Sequence, residues 1–219
     1  MNLETTSGLA KFYDFFKTIG AARLDGLDES CFVGFTKGEK EAAWIFLRGN
    51  FTRSSERIEG MYLLDASRAA TEFKKALEVP VAQVQFVEEQ KQLESSRLLM
   101  LKYVNLLEPD EKWVVGMCDF AVSNFAEIRG EFARVLPAKR ITLAAVSALK
   151  QMIFTEVERV PLASAITKLM LIHGMDFDMD DPVCDSIYRL MRSQNKNDKL
   201  SAIRRLESIR TPDFIQPTA

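Results

Sequence analysis

Apolar residues in this chain recur every three or four positions in run after run, and most runs are bounded by a glycine, a proline or a capping side chain. That spacing places the apolar residues on one face of a helix, and a chain built from it can bury them only by packing helix on helix. Leu9, Phe12, Phe16 and Ile19 make the first such face, with Gly20 to end it. Thr36 and Glu39 have the spacing of a capping box, so Glu39 to Arg48 reads as the next helix, with Gly49 and Asn50 as a left-handed stop. Ser54 is placed to cap a run carrying Ile58, Met61, Tyr62 and Leu64. After a short join at Asp65, Ala66 and Ser67, a helix with Ala69, Ala70, Phe73 and Leu77 has to turn back on it.

Pro80 interrupts, and Val81 to Leu107 resumes with Val84, Val87, Leu98, Leu101 and Val104, Ser95 and Ser96 offering a break. VAQVQFV also alternates as a strand does, but the helix-favouring EEQKQLE that follows decides for helix. Pro109, Asp110 and Glu111 open a helix that steps through Trp113, Met117, Ala121, Phe125, Ile128 and Phe132 to Pro137. Ile141, Ala144, Ala145, Ala148, Leu149 and Met152 carry the next. Leu162, Ala165, Ile166 and Leu169 follow Pro161 and end near His173 and Gly174. Asp181 with Pro182 starts a helix bearing Val183, Ile187, Leu190 and Met191, and Leu200, Ile203, Leu206 and Ile209 close the chain. The expected fold is all-α, with about ten short helices. The segment 21–38, with Gly26, Gly34 and Gly38, is the least regular part.

At 219 residues, 47% hydrophobic and 27% charged, the chain has the balance of a globular protein, expected as one helical domain over 1–219. Its 29 basic and 31 acidic side chains leave a formal charge of -2, so no whole-protein field draws nucleic acid or anionic lipid. Cys31, Cys118 and Cys184 stand far apart and in odd number, which suits neither a disulfide framework nor a zinc site and fits a reducing cytoplasm. No basic start precedes an apolar core at the N-terminus, and no window approaches the about 18 apolar residues of a membrane span. Neither a signal peptide nor a membrane helix is expected.

Two stretches, SSERIEGMYLLDASRAATEFKKAL and DDPVCDSIYRLMRSQNKNDKLSAIRRLESI, each read as a helix pair of a length compatible with one helical repeat of about 40 residues. In this they resemble the HEAT and armadillo proteins. The resemblance implies an antiparallel helical array, or solenoid, with a long exposed surface for binding other proteins. The pairs do not align at a fixed period, and an irregular helical bundle is the alternative architecture.

Few constellations carry chemistry. Asp176, Asp178 and Asp180 open like a calcium loop, but Asp181 stands where the sharp turn needs glycine and Ile187 where a bidentate acid is needed, so an acidic helix start is expected and no metal. His173 is the only histidine, and a base oriented by Asp176 is the one dyad within reach; a helix-end histidine facing the negative dipole end is the simpler reading. The glycines form neither dinucleotide nor phosphate loop, no cofactor is expected, and the three cysteines read as small core residues. Phe12, Tyr13, Phe15 and Phe16 crowd the first helix and are read as a wedge into the core.

From Arg189 to Arg210 seven basic residues face two acidic ones, the clearest charge asymmetry in the chain. Arg189, Arg192, Lys196, Lys199, Arg204 and Arg205 are therefore the expected contact residues for a partner with an acidic surface. The leading expectation is a non-enzymatic protein-binding module: an adaptor, a regulator or a cytosolic immunity protein neutralising a toxin. An enzyme using His173 and nearby carboxylates, and nucleic-acid binding through the basic C-terminal helices, are the alternatives; Tyr188 alone is there to stack on bases.

Overall fold

The computed structural model describes residues 8–18, 26–81, 83–178 and 180–215. Helix takes up 73% of it and no strand occurs among the described residues, so the fold class is all-α. Ile19 and Gly20, read above as the end of the first helix, lie outside the described residues, as do 21–25 of the irregular segment. Eleven α-helices are described: α1 Gly8–Lys17, α2 Lys37–Arg48, α3 Ser55–Leu64, α4 Ala66–Leu77, α5 Val87–Leu107, α6 Glu111–Cys118, α7 Ala126–Val135, α8 Leu143–Thr155, α9 Arg159–Ile172, α10 Pro182–Arg192 and α11 Lys196–Ile209. They fall into two compact units, Met1–Tyr103 and Val104–Ala219, the division lying within α5. None is long and apolar enough to cross a membrane.

In the first unit the capping signals act as written. The Thr36 hydroxyl accepts from the Glu39 amide while the Glu39 carboxylate accepts from the Thr36 amide, closing the capping box of α2. Ser54 accepts from the Arg57 amide at the start of α3. Asp65 alone joins α3 to α4: its amide donates to Met61 and its side chain accepts from the Arg68 amide, so one residue ends one helix and starts the next. Arg68 pairs with Glu41, and Arg48 with Glu72. Both contacts advance in the same direction along the chain, so α2 and α4 run parallel, with α3 packed against each of them. Phe12 is 2% exposed and meets Phe32, Phe35 and Phe46 edge-on or tilted, which makes α1 the wedge its aromatic crowding implies.

Several boundaries differ from expectation. Gly49 has an ordinary negative φ and the left-handed residue is Asn50, at φ 56°. Val81 and 83–86 are neither helix nor strand: α5 begins only at Val87, and the Val84 amide donates to the Gln90 side chain rather than to a helical carbonyl. Pro80, with no amide to donate, cannot carry α4 onward. Ser95 and Ser96 do not break α5, and Ser96 is fully buried.

In the second unit Asp110 caps α6 and Thr142 caps α8. The run from Trp113 to Phe132 is two helices, not one, separated by a 3-10 turn at Asp119–Val122. Ser123 ends that turn, its hydroxyl accepting from the Phe125 amide, a local bond that competes with helical pairing. Ile141 precedes α8 and holds the C-terminal segment instead: its amide donates to Asp213 and its carbonyl accepts from Ile215, at 2.9 and 3.0 Å. α9 begins at Arg159, two residues before Pro161, and ends in a Schellman turn with Gly174 at φ 78°. Ser186 meets Arg205 and Ser193 meets Asp198, contacts that run in opposite senses, so α10 and α11 form an antiparallel pair. Ala144, Val183, Leu200 and Ile209, read as apolar face positions, are exposed.

Two helix-interior glycines give opposite expectations for the same substitution. A Cβ on Gly60 would stand 2.8 Å from Cδ2 of fully buried Leu47, whereas one on Gly130 would meet Pro161 at an ordinary 3.6 Å. Gly130→Ala is expected to raise stability by about 0.5–1 kcal/mol through helix propensity. Gly60→Ala is expected to lower it by about 1 kcal/mol or more, overpacking outweighing propensity. Urea denaturation of the two variants measures both signs.

Candidate basic interface

The geometry of the second unit is set where α7, α8 and α9 meet. Arg129 of α7 forms a two-pronged pair with Glu156, at 2.6 and 3.0 Å, and donates a third bond to the Ser123 carbonyl at 2.8 Å. The Glu156 carboxylate is 4% exposed and also accepts from the amides of Val157 and Glu158. One carboxylate thus fixes the turn between α8 and α9 and the start of α9. Its pKa is held below the ordinary glutamate value of 4.5, first by the Arg129 hydrogen bonds and then by the Glu158 and Val157 amides, which together outweigh burial.

α9 buries Pro161, Ala165, Ile166, Leu169 and Met170 among its neighbours and turns its other side outward. Arg159, Ala163 and Thr167 share one ridge of that outer side, and Val160, Ser164 and Lys168 the next, together covering about half the helix circumference. Small side chains in the middle leave a hollow there. α10 closes it with Tyr188 and Arg192, four residues apart on one face, and α7 adds Arg134, giving a cavity of about 520 Å³. Four cations line it, Arg134, Arg159, Lys168 and Arg192, and no carboxylate does. Arg134 is paired outside the lining with Glu131, whereas Arg159 and Arg192 have no carboxylate partner among the described residues. Lys168 donates to the Leu136 carbonyl, and burial pushes its pKa below the usual lysine value.

Beyond the cavity the basic surface continues across α10 and α11. Arg189 points outward and pairs with Asp185, one turn back, at 2.8 Å. Arg205 reaches toward Ser186 of α10 at 3.5 Å, and Arg204 lies opposite the buried stripe of α11. Lys196 is exposed at the start of α11. Lys199 is not part of this surface: it is 6% exposed and donates to the Ile153 carbonyl, because it falls on the stripe shared with Ala202, Ile203 and Leu206. Five of the six expected contact residues are therefore exposed. Arg134, Arg159 and Lys168 escaped the sequence reading because they come from two other helices; the signal present was the row of small residues between Arg159 and Lys168.

His173 lies at the C-terminal cap of α9 but is 2% exposed. Its Nδ1 is 2.6 Å from the Arg210 carbonyl, so Nδ1 carries a proton, and Nε2 is buried without a hydrogen-bond partner among the described residues. No hydrogen bond joins it to Asp176. Asp181 caps α10 by accepting from the Val183 amide, and Asp178 accepts from the Asp180 amide. No three His, Cys, Asp or Glu side chains come together as a metal site among the described residues. Cys184 is buried and ties the acidic loop to α10, its sulfur accepting from the Asp178 amide and donating to the Asp176 carbonyl. Burial pushes the Cys118 thiol up to about 11. Compared with family models, curated proteins and solved structures, the chain has no significant match.

Because the folded-state pKa of Glu156 is below its unfolded value, the unfolded chain binds the extra proton as pH falls through the acid range. The pair's contribution is fully present above about pH 4.5 and is lost as pH falls toward the folded pKa. Glu156→Gln is expected to cost about 3 kcal/mol at pH 7 by leaving Arg129 unpaired. It should also flatten the fall in stability below pH 4.5, as read from denaturation midpoints across pH 3–7.

Proposed function

We propose that the protein is a non-enzymatic binding module whose basic face, running over α10 and α11, docks an acidic surface of a partner protein. The observation that carries this reading is the outward set Arg189, Arg192, Lys196, Arg204 and Arg205 on two packed helices, with Arg189 alone, among the described residues, paired to a carboxylate. Such a face steers association and fixes orientation more than it adds raw affinity. The parallel α2 and α4 with α3 between them, and the antiparallel α10 and α11, support the likeness to HEAT and armadillo arrays, whose exposed helix faces serve protein binding. In this reading the protein acts in the cytoplasm as an adaptor or regulator, an immunity protein bound to a toxin being its narrowest form. A reducing compartment suits its free cysteines.

The double variant Arg204→Glu with Arg205→Glu reverses two exposed charges and is expected to leave the unfolding free energy within about 1 kcal/mol of wild type. In affinity capture from native extract at physiological salt, a protein held stoichiometrically by the wild type should be lost with this variant. Equal capture by both, or capture of nucleic acid with a steep salt dependence, overturns the reading. His173→Ala provides the opposite control. Since the ring is buried rather than at an exposed helix end, it should cost about 2–4 kcal/mol of stability, well above the roughly 1 kcal/mol of a dipole contact. It should nevertheless leave capture intact at temperatures where the variant stays folded.

A further inference from the structure

We propose that the cavity between α9 and α10, which shares Arg192 with the outer basic face, is a second site, for a polyphosphate group carried by a small phosphorylated molecule. Three helices bring Arg134, Arg159, Lys168 and Arg192 around one space of about 520 Å³. Like charges gathered on one cavity repel, and of the four only Arg134 has a carboxylate partner among the described residues, Glu131 on its own helix. Arg159 and Arg192 are exposed and make no ion pair among the described residues, Arg192 lying only over the Tyr188 ring at 5.7 Å, so no carboxylate neutralises either of them. An anion entering the cavity would replace that repulsion with attraction to all four cations.

Phosphate fits this arrangement better than a single carboxylate. The guanidinium groups of Arg159 and Arg192 are forks that match phosphate oxygens two at a time. The four cations stand on three helices around a space far larger than one carboxylate fills, and a chain of phosphates distributes its charge across such a span. Lys168 already gives one bond to the Leu136 carbonyl and keeps further protons to donate. Burial disfavours its charge, a penalty an anion would relieve. The Ser164 hydroxyl has no hydrogen-bond partner among the described residues, and Thr167 donates to the Ala163 carbonyl with its lone pairs left to accept. Val160 and Leu171 supply apolar wall against which the organic part of a ligand can lie.

The probes are inorganic pyrophosphate and adenosine triphosphate, titrated calorimetrically into the full chain at fixed ionic strength, with sulfate as the control anion. Saturable binding of either probe, beyond that of sulfate, is expected. Tighter binding of the nucleotide assigns an organic phosphate, equal binding assigns the phosphate chain alone, and both support the proposal. Arg159→Ala with Arg192→Ala should weaken binding about tenfold or more. Both side chains are exposed, so the fold should persist, which circular dichroism checks. Arg204→Glu with Arg205→Glu should retain probe binding even where it loses the protein partner, so the two readings fail independently. Binding no stronger than sulfate, or undiminished in the Arg159 and Arg192 variant, overturns the proposal.

Discussion

The Arg129–Glu156 pair governs the second unit more than any other contact. A buried carboxylate is costly unless its lone pairs are filled, and here they are filled by one guanidinium and two backbone amides. Those amides belong to the residues just before α9, so neutralising the charge and fixing the helix start are one event. The third guanidinium bond, to Ser123, carries the same constraint back to the break before α7. Arg159 is the first residue of α9, and its place at the mouth of the cavity follows from the turn that Glu156 holds. Interior packing of Pro161, Ala165, Ile166 and Leu169 then sets the helix rotation and leaves the small residues facing outward.

How much of this could be read from the sequence depends on the range of the interaction. Caps are local, and Thr36 with Glu39, Ser54, Asp110 and Asp181 all do what their spacing implies, because donor and acceptor lie within one helical turn. Asp65 goes further than its spacing alone reveals, since serving two helices at once depends on the angle at which they meet. Breaks are harder. Periodicity carried Trp113 to Phe132 as one helix because the apolar step continues across the 3-10 turn, and only Ser123, satisfying the backbone locally, betrays the interruption.

Charge was legible as composition but not as placement. Lys199 counts among the basic residues of the C-terminal segment, yet helical geometry puts it with Ala202, Ile203 and Leu206, where its stem packs and its ammonium reaches the Ile153 carbonyl. Burial pushes its pKa below the usual lysine value, as expected of a cation held among apolar neighbours. The same long-range packing assembles what no local pattern could: Arg134, Arg159 and Lys168 are ordinary solvated side chains in the sequence, and only the approach of α7, α9 and α10 makes them a set.

The two basic features of this unit differ physically, and that difference bears on what each can do. Across α10 and α11 the charges sit on convex helix faces in full contact with water, where salt screens them and their main effect is on encounter. Around the cavity the cations share a concave space with apolar wall, where the same charges act over shorter distances and through fewer waters. A convex face selects a broad complementary surface, as another protein offers; a concave one selects a compact anion. Arg192 belongs to both, at the edge where α10 turns from the outer face toward α9, which makes it the residue through which occupancy of the cavity would alter the charge seen by a partner on the face.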